Sequence, residues 1–154
     1  MSDIDTKPGR FKSLFFSVGN PKDFSPQAWK KFFVPFDADR WAKDSAGGIV
    51  YKLDDGSQFS LMFEYDVDLG LSMTYDMDNF EDDEFESDSR ISVRDREAMS
   101  DFVLVATGAT YPRGSFVDPE AAWGATEAFL NDPTVMPTSI DWLDPDELDW
   151  PEPG

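Results

Sequence analysis

Between Asp76 and Asp88 the chain reads DMDNFEDDEFESD, with eight carboxylates and no basic residue. Three kinds of chemistry use carboxylates at this density. The first is an oxygen-liganded cation site. Asp76 and Asp78 begin like a calcium loop, yet Phe80 stands at the fifth position, Glu81 replaces the sixth-position glycine, and Ser87 stands where a bidentate glutamate belongs. The template is not met, and no metal is expected. The second is a carboxylate pair for glycoside hydrolysis, but abundance alone singles out no Asp or Glu. The third is occupation of a cationic surface. Phe80 and Phe85 favour it, because aromatic anchors inside a charged rim suit a protein interface where charge steers encounter and rings supply desolvated area. The candidate contacts are Asp78, Phe80, Glu81, Asp82, Asp83, Glu84, Phe85, Glu86 and Asp88. The competing reading is a solvated loop whose two rings pin it to its own core.

The end of the chain repeats the pattern. Asp141 to Glu152 holds six acids interleaved with Trp142, Leu143, Leu148 and Trp150. Trp142 is expected to pack on the body, whereas Trp150 joins the candidate contacts in an acidic tail over 144–154. Arg90, Arg94 and Arg96 are expected to neutralise carboxylates of the acidic segment.

Two absences exclude more chemistry than any residue present suggests. The chain contains no Cys and no His. Thiol nucleophiles, thiolate metal sites and disulfides are excluded, and so are the imidazole-dependent triads and the common general base near neutral pH. No enzymatic activity and no cofactor are expected. The net charge is −19, from 13 basic and 32 acidic residues. Such a chain repels nucleic acid and anionic membranes and favours basic partners. Acidity is also localised: nine basic and six acidic residues precede Asp54, while four basic and 26 acidic residues follow Leu53. No apolar run has the length of a membrane span, and the first residues lack a charged-then-apolar leader, so a cytoplasmic location is expected.

A length of 154 residues fits one domain over 1–154, with residues 1–10 expected to be mobile. The clearest element follows Ser115. Asp118 is an N-cap, Pro119 occupies the first helical position, and Ala122, Ala125, Phe129 and Leu130, flanked by Trp123, mark one buried face as far as Asn131-Asp132-Pro133. Gly124 costs about 1 kcal/mol relative to Ala, which close approach to a sheet would offset. Ser139 to Trp142 reads as a short extended return. Earlier, Phe11–Val18 reads as a strand. Ser25-Pro26 opens a short helix to Val34, and a helical turn is expected around Asp39–Asp44. Ile49–Leu53 and Phe59–Tyr65 flank a hairpin turn, Asp54-Asp55-Gly56-Ser57. Phe59, Leu61, Phe63 and Tyr65, then Leu71, Met73 and Tyr75, alternate with polar residues, and Ile91–Val93 resumes the pattern. Asp101–Thr107 is nearly continuous in apolar residues and reads as a central strand covered on both faces. The expected fold is α+β, an antiparallel meander of about four to six strands with helices packed mainly on one face.

The late helix, Phe116-x-Asp118-Pro119-Glu120-x-Ala122-Trp123…Glu127-x-Phe129-Leu130, followed by Pro137-x-x-Ile140-x-Trp142, resembles small immunity proteins of bacterial polymorphic toxin systems. The nearest type is that found beside nucleic-acid deaminase and nuclease toxins. The hairpin Phe59–Tyr75 also resembles the central sheet of that family, and the likeness spans roughly residues 48–143. The resemblance implies a cytoplasmic antidote that binds one cognate toxin domain and blocks its active site or substrate groove. It carries over no interface residues. The alternatives are an acidic nucleic-acid mimic that inhibits DNA-binding enzymes, and a non-catalytic adaptor domain.

Overall fold

A computed structural model describes residues 10–14, 25–36, 38, 39, 41, 46–79, 84, 87–105 and 108–148. The central meander is β2 (Ala46–Lys52), β3 (Ser57–Asp66), β4 (Gly70–Asn79) and β5 (Asp88–Val93). β1 (Arg10–Leu14) pairs outside β2, and β9 (Asp141–Leu143) outside β5, so the order is β1-β2-β3-β4-β5-β9, every pair antiparallel. β8 (Phe116–Val117) adds a seventh strand beside the start of β4, at Leu71 and Ser72. The fold is therefore α+β and sheet-dominated, and its two shortest edge additions take it one past the expected range of strands.

Alternation decides what each face does. Leu61 lies opposite Tyr75, Phe63 opposite Met73 and Tyr65 opposite Leu71, and Ile49 of β2 lies opposite Leu61. These residues share one face, because successive side chains of a strand point to opposite sides. Both described helices cover that face. In α1 (Pro26–Lys30) the Ser25 hydroxyl accepts from Ala28 N at 3.2 Å, and the turn after it buries Phe32 and Phe33 beside Trp29. In α2 (Pro119–Asn131) the Asp118 carboxylate accepts from Ala121 N at 2.8 Å, and Ala122, Trp123, Ala125, Thr126, Phe129 and Leu130 are buried. Phe33 joins the layers, with ring centroids 5.9 Å from Phe63 and 5.5 Å from Trp123. Gly124 does not approach a strand. A side chain there would meet Ser139 Oγ at 3.4 Å, so its small size serves the loop leading to β9.

The other face carries a smaller core of Ile91, Val93 and Met99, with Tyr111, Leu143 and Leu148 against it. Of the strand expected over Asp101–Thr107, the described residues 101–105 belong here and do not form a central strand, while 106 and 107 lie outside the described residues. Phe102–Leu104 (β6) pairs with Thr110–Pro112 (β7) in a separate two-stranded ribbon, and Leu104 is 73% exposed. Gly108, at φ +92°, turns the chain back after Val105, which an unbroken strand would not permit. Three buried serines tie this layer to the sheet where β4 passes from β8 to β5. Ser72 Oγ lies 2.7 Å from Ser115 Oγ, which donates to Pro112 O. Ser92 Oγ accepts from Met73 N at 2.9 Å and donates to Ser115 O at 2.6 Å.

The strand expected over Phe11–Val18 is observed as Arg10–Leu14, and residues 15–18 lie outside the described residues. Residues 38, 39 and 41 are helical, within the turn expected around Asp39–Asp44, and 40 and 42–45 lie outside the description.

Candidate functional site

The acidic segment leaves the end of β4 at Asn79 and enters β5 at Asp88. Asp76 and Asp78 project from β4 on the face away from the helices, since Tyr75 and Met77 occupy the helix side. Asp88 opens β5. Asp144 and Asp146 arrive from the turn after β9. These five carboxylates surround one open cleft of about 350 Å³, and none of its described lining residues is basic.

Local hydrogen bonds fix the carboxylates. Ser89 Oγ donates to Asp76 Oδ1 at 2.5 Å, and Ser87 Oγ donates to Asp78 Oδ1 at 2.7 Å. Asp144 caps its own 3-10 turn, Pro145–Glu147, by accepting from Asp146 N at 2.9 Å. Arg90 pairs with Asp88 and lies 3.8 Å from Asp144. Arg94 and Arg96 are exposed and make no ion pair among the described residues. Among the described residues, only Arg90 therefore performs the neutralisation expected of the three. Burial raises the Asp76 carboxyl above the ordinary aspartate value, hydroxyls of Ser89 and Ser60 oppose the shift, and the charge of Asp78 adds to it.

Deeper on the same face, Glu64 is buried and hydrogen-bonds the Tyr111 hydroxyl of the ribbon. Tyr111 is pushed up to about 12, first by burial, then by the charge of Glu64, their hydrogen bond and the charge of Asp76. A phenol held protonated against a covered carboxylate fastens the ribbon to the sheet.

Of the residues expected to make contact, Asp78 and Asp88 line the cleft, and Glu84 is exposed. Phe80, Glu81, Asp82, Asp83, Phe85, Glu86 and Trp150 lie outside the described residues. Trp142 packs on the body as expected, with its ring centroid 6.4 Å from that of Tyr75 and its Nε1 donating to Pro137 O at 2.6 Å. Asp76, Asp144 and Asp146 are cleft residues that the choice of candidates missed. The two-residue alternation of Asp76 and Asp78 was the signal available for the first. Nothing local in sequence brings Asp144 and Asp146 beside Asp88, because β9 must first pair with β5.

On the helix side of the same strand ends lies a second groove of about 350 Å³, floored by Tyr75 and Met77 and walled by Thr134, Val135 and Met136. Val135 is 56% exposed. Among the described residues no group of three or more acidic, His or Cys side chains is arranged to hold a metal ion. No helix among them is long and apolar enough to cross a membrane. Comparison with models of protein families, with curated proteins and with solved structures gives no match to this chain.

Proposed function

We propose that this chain is an immunity protein, a non-catalytic antidote that acts in the cytoplasm by binding a cognate toxin domain and covering its active site or substrate groove. The observation that carries the reading is the acidic cleft, five aspartates drawn from three separate segments, with Arg90 beside Asp88 and Asp144 as the one cation paired with them among the described residues. Five carboxylates matched by one guanidinium still repel one another, and a cationic surface relieves that repulsion while gaining long-range attraction. Toxins that act on nucleic acid carry such surfaces, and the likeness of the late helix to immunity proteins points to the same class of partner. The −22 charge of the chain beyond Leu53 extends the attraction past the cleft.

The test is to identify the gene immediately upstream and to co-express this chain with the domain that ends its product, which is expected to be small and basic. The wild-type chain is expected to co-purify with that domain and restore growth. Its association rate should fall at least about ten-fold from low to high salt. Replacing Asp82, Asp83 and Glu84 together by Lys should weaken neutralisation and leave thermal stability nearly unchanged. Full protection by the triple variant would remove the acidic segment from the interface. Inhibition of many unrelated nucleases would instead identify a nucleic-acid mimic.

A further inference from the structure

Among the described residues, β5 begins with a short open edge. Its inner side pairs with β4 from Asp88 to Ile91, but its outer side pairs with β9 only at Ile91, Ser92 and Val93. Past Leu143 the chain leaves the strand line, because Asp144 starts the 3-10 turn Pro145–Glu147. Among the described residues, Asp88, Ser89 and Arg90 thus have a strand on one side alone. Side chains occupy the exposed backbone: Ser89 N donates to Asp88 Oδ1 at 3.0 Å, and Arg90 Nη1 donates to Ser89 O at 2.7 Å. Both covering side chains are about a third exposed or more, at 31% for Arg90 and 40% for Asp88. Charged side chains laid over an open edge are how folded proteins keep it from pairing indiscriminately.

The two clefts flank this edge, one on each face of the sheet, and Met77, Asp88 and Ser89 border both. One is ringed by carboxylates and the other is chiefly apolar. An extended segment laid beside β5 would place successive side chains on opposite faces. We propose that the Asp88–Arg90 edge receives an extended strand of the basic partner in which basic and apolar residues alternate. A Lys or Arg enters the acidic cleft, and its apolar neighbour enters the groove beside Val135 and Met136. The incoming backbone takes over the hydrogen bonds of Ser89, releasing Arg90 and Asp88. Charge complementarity selects the occupant: Asp76, Asp78 and Asp146 line the cleft with no ion pair among the described residues, whereas Arg90 lines the groove on the other face and disfavours a second cation there. The basic character of the partner rests on the proposed antidote function; the alternation rests on the edge and its two clefts.

Two synthetic peptides of equal composition and charge test this: acetyl-Val-Lys-Val-Lys-Val-amide, and its block isomer with both lysines first. Titration calorimetry with the full chain should show the alternating peptide binding at least ten-fold tighter. Saturation with it should slow hydrogen exchange of the Ser89 amide at least ten-fold. Val135→Asp, on an exposed loop residue, should remove the preference while circular dichroism shows an unchanged fold. Equal affinity for the two peptides, no binding of either, or unaltered exchange at Ser89 would overturn the strand-addition proposal. Neutralisation of the cognate toxin by the wild-type chain is read separately. A chain that neutralises without discriminating the peptides retains the antidote function and loses the strand acceptor. A chain that discriminates them without neutralising does the reverse.

Discussion

β4 presents two unlike surfaces from one ten-residue strand. On the helix side Leu71, Met73, Tyr75 and Met77 join a continuous aromatic and aliphatic core. On the other side Ser72, Thr74, Asp76 and Asp78 run from a serine that is 1% exposed to carboxylates open to the cleft. The helix side gains its energy from area removed from water and needs no partner. The opposite side is tied down at its inner end through Ser72, gains little at its outer end in the isolated chain, and its polarity rises toward that end. One strand thus anchors the fold with its odd-numbered residues and displays charge with its even-numbered ones. A change on one side should register chiefly in stability, and a change at the outer end of the other chiefly in binding.

The sharpest way to break this contrast is Phe129→Ala. Its buried ring lies 6.1 Å from Tyr75, and truncation should cost about 3–5 kcal/mol in denaturant unfolding. Ser115→Ala comes next. It removes a hydroxyl that joins Ser72 to Pro112 O, and a loss of about 1–3 kcal/mol is expected from buried groups left unmatched. A cost near zero would show that the serine chain is dispensable. Asp146→Lys, at the cleft rim, should change stability by no more than about 0.5 kcal/mol while slowing association with a basic partner about three- to ten-fold. Stopped-flow mixing at low salt measures it. The smallest effect belongs to Asp76→Asn. The folded-state carboxyl of Asp76 lies above its unfolded value, so the folded chain binds more protons between those two values. Stability from this residue is present below the ordinary aspartate value and is lost as pH rises through the raised one. Asn should abolish that slope and raise the melting temperature at neutral pH by about 1–3 °C. A lower melting temperature would mean that the hydrogen bond from Ser89 outweighs the burial cost.

The elements legible in the sequence were those defined by local rules. Ser25-Pro26 and Asp118-Pro119 marked the two helix starts, and the alternation of Phe59 to Tyr65 and Leu71 to Tyr75 marked the apolar sheet face, while the register came from the structure. Asp101–Thr107 was misread because an apolar run can cover a sheet as well as form its centre, and only Gly108 with Thr110–Pro112 decides between them. The candidate site was half legible. Asp78 and Asp88 were chosen from charge, but the cleft depends on Asp144 and Asp146, whose place follows from the distant pairing of Ile91 with Leu143. Arg90 could not be told from Arg94 and Arg96 by composition. Its position opposite Tyr75 in the ladder puts it beside Asp88 and Asp144.

The order of the strands also sets where the molecule can be held. β1 lies four strand spacings from β5 across the sheet, about 19 Å, and Lys12 on β1 is exposed. With no native cysteine in the chain, Lys12→Cys would carry a single thiol for immobilisation on a sensor surface. The tether would then sit across the width of the molecule from the carboxylates, leaving them facing the flowing analyte.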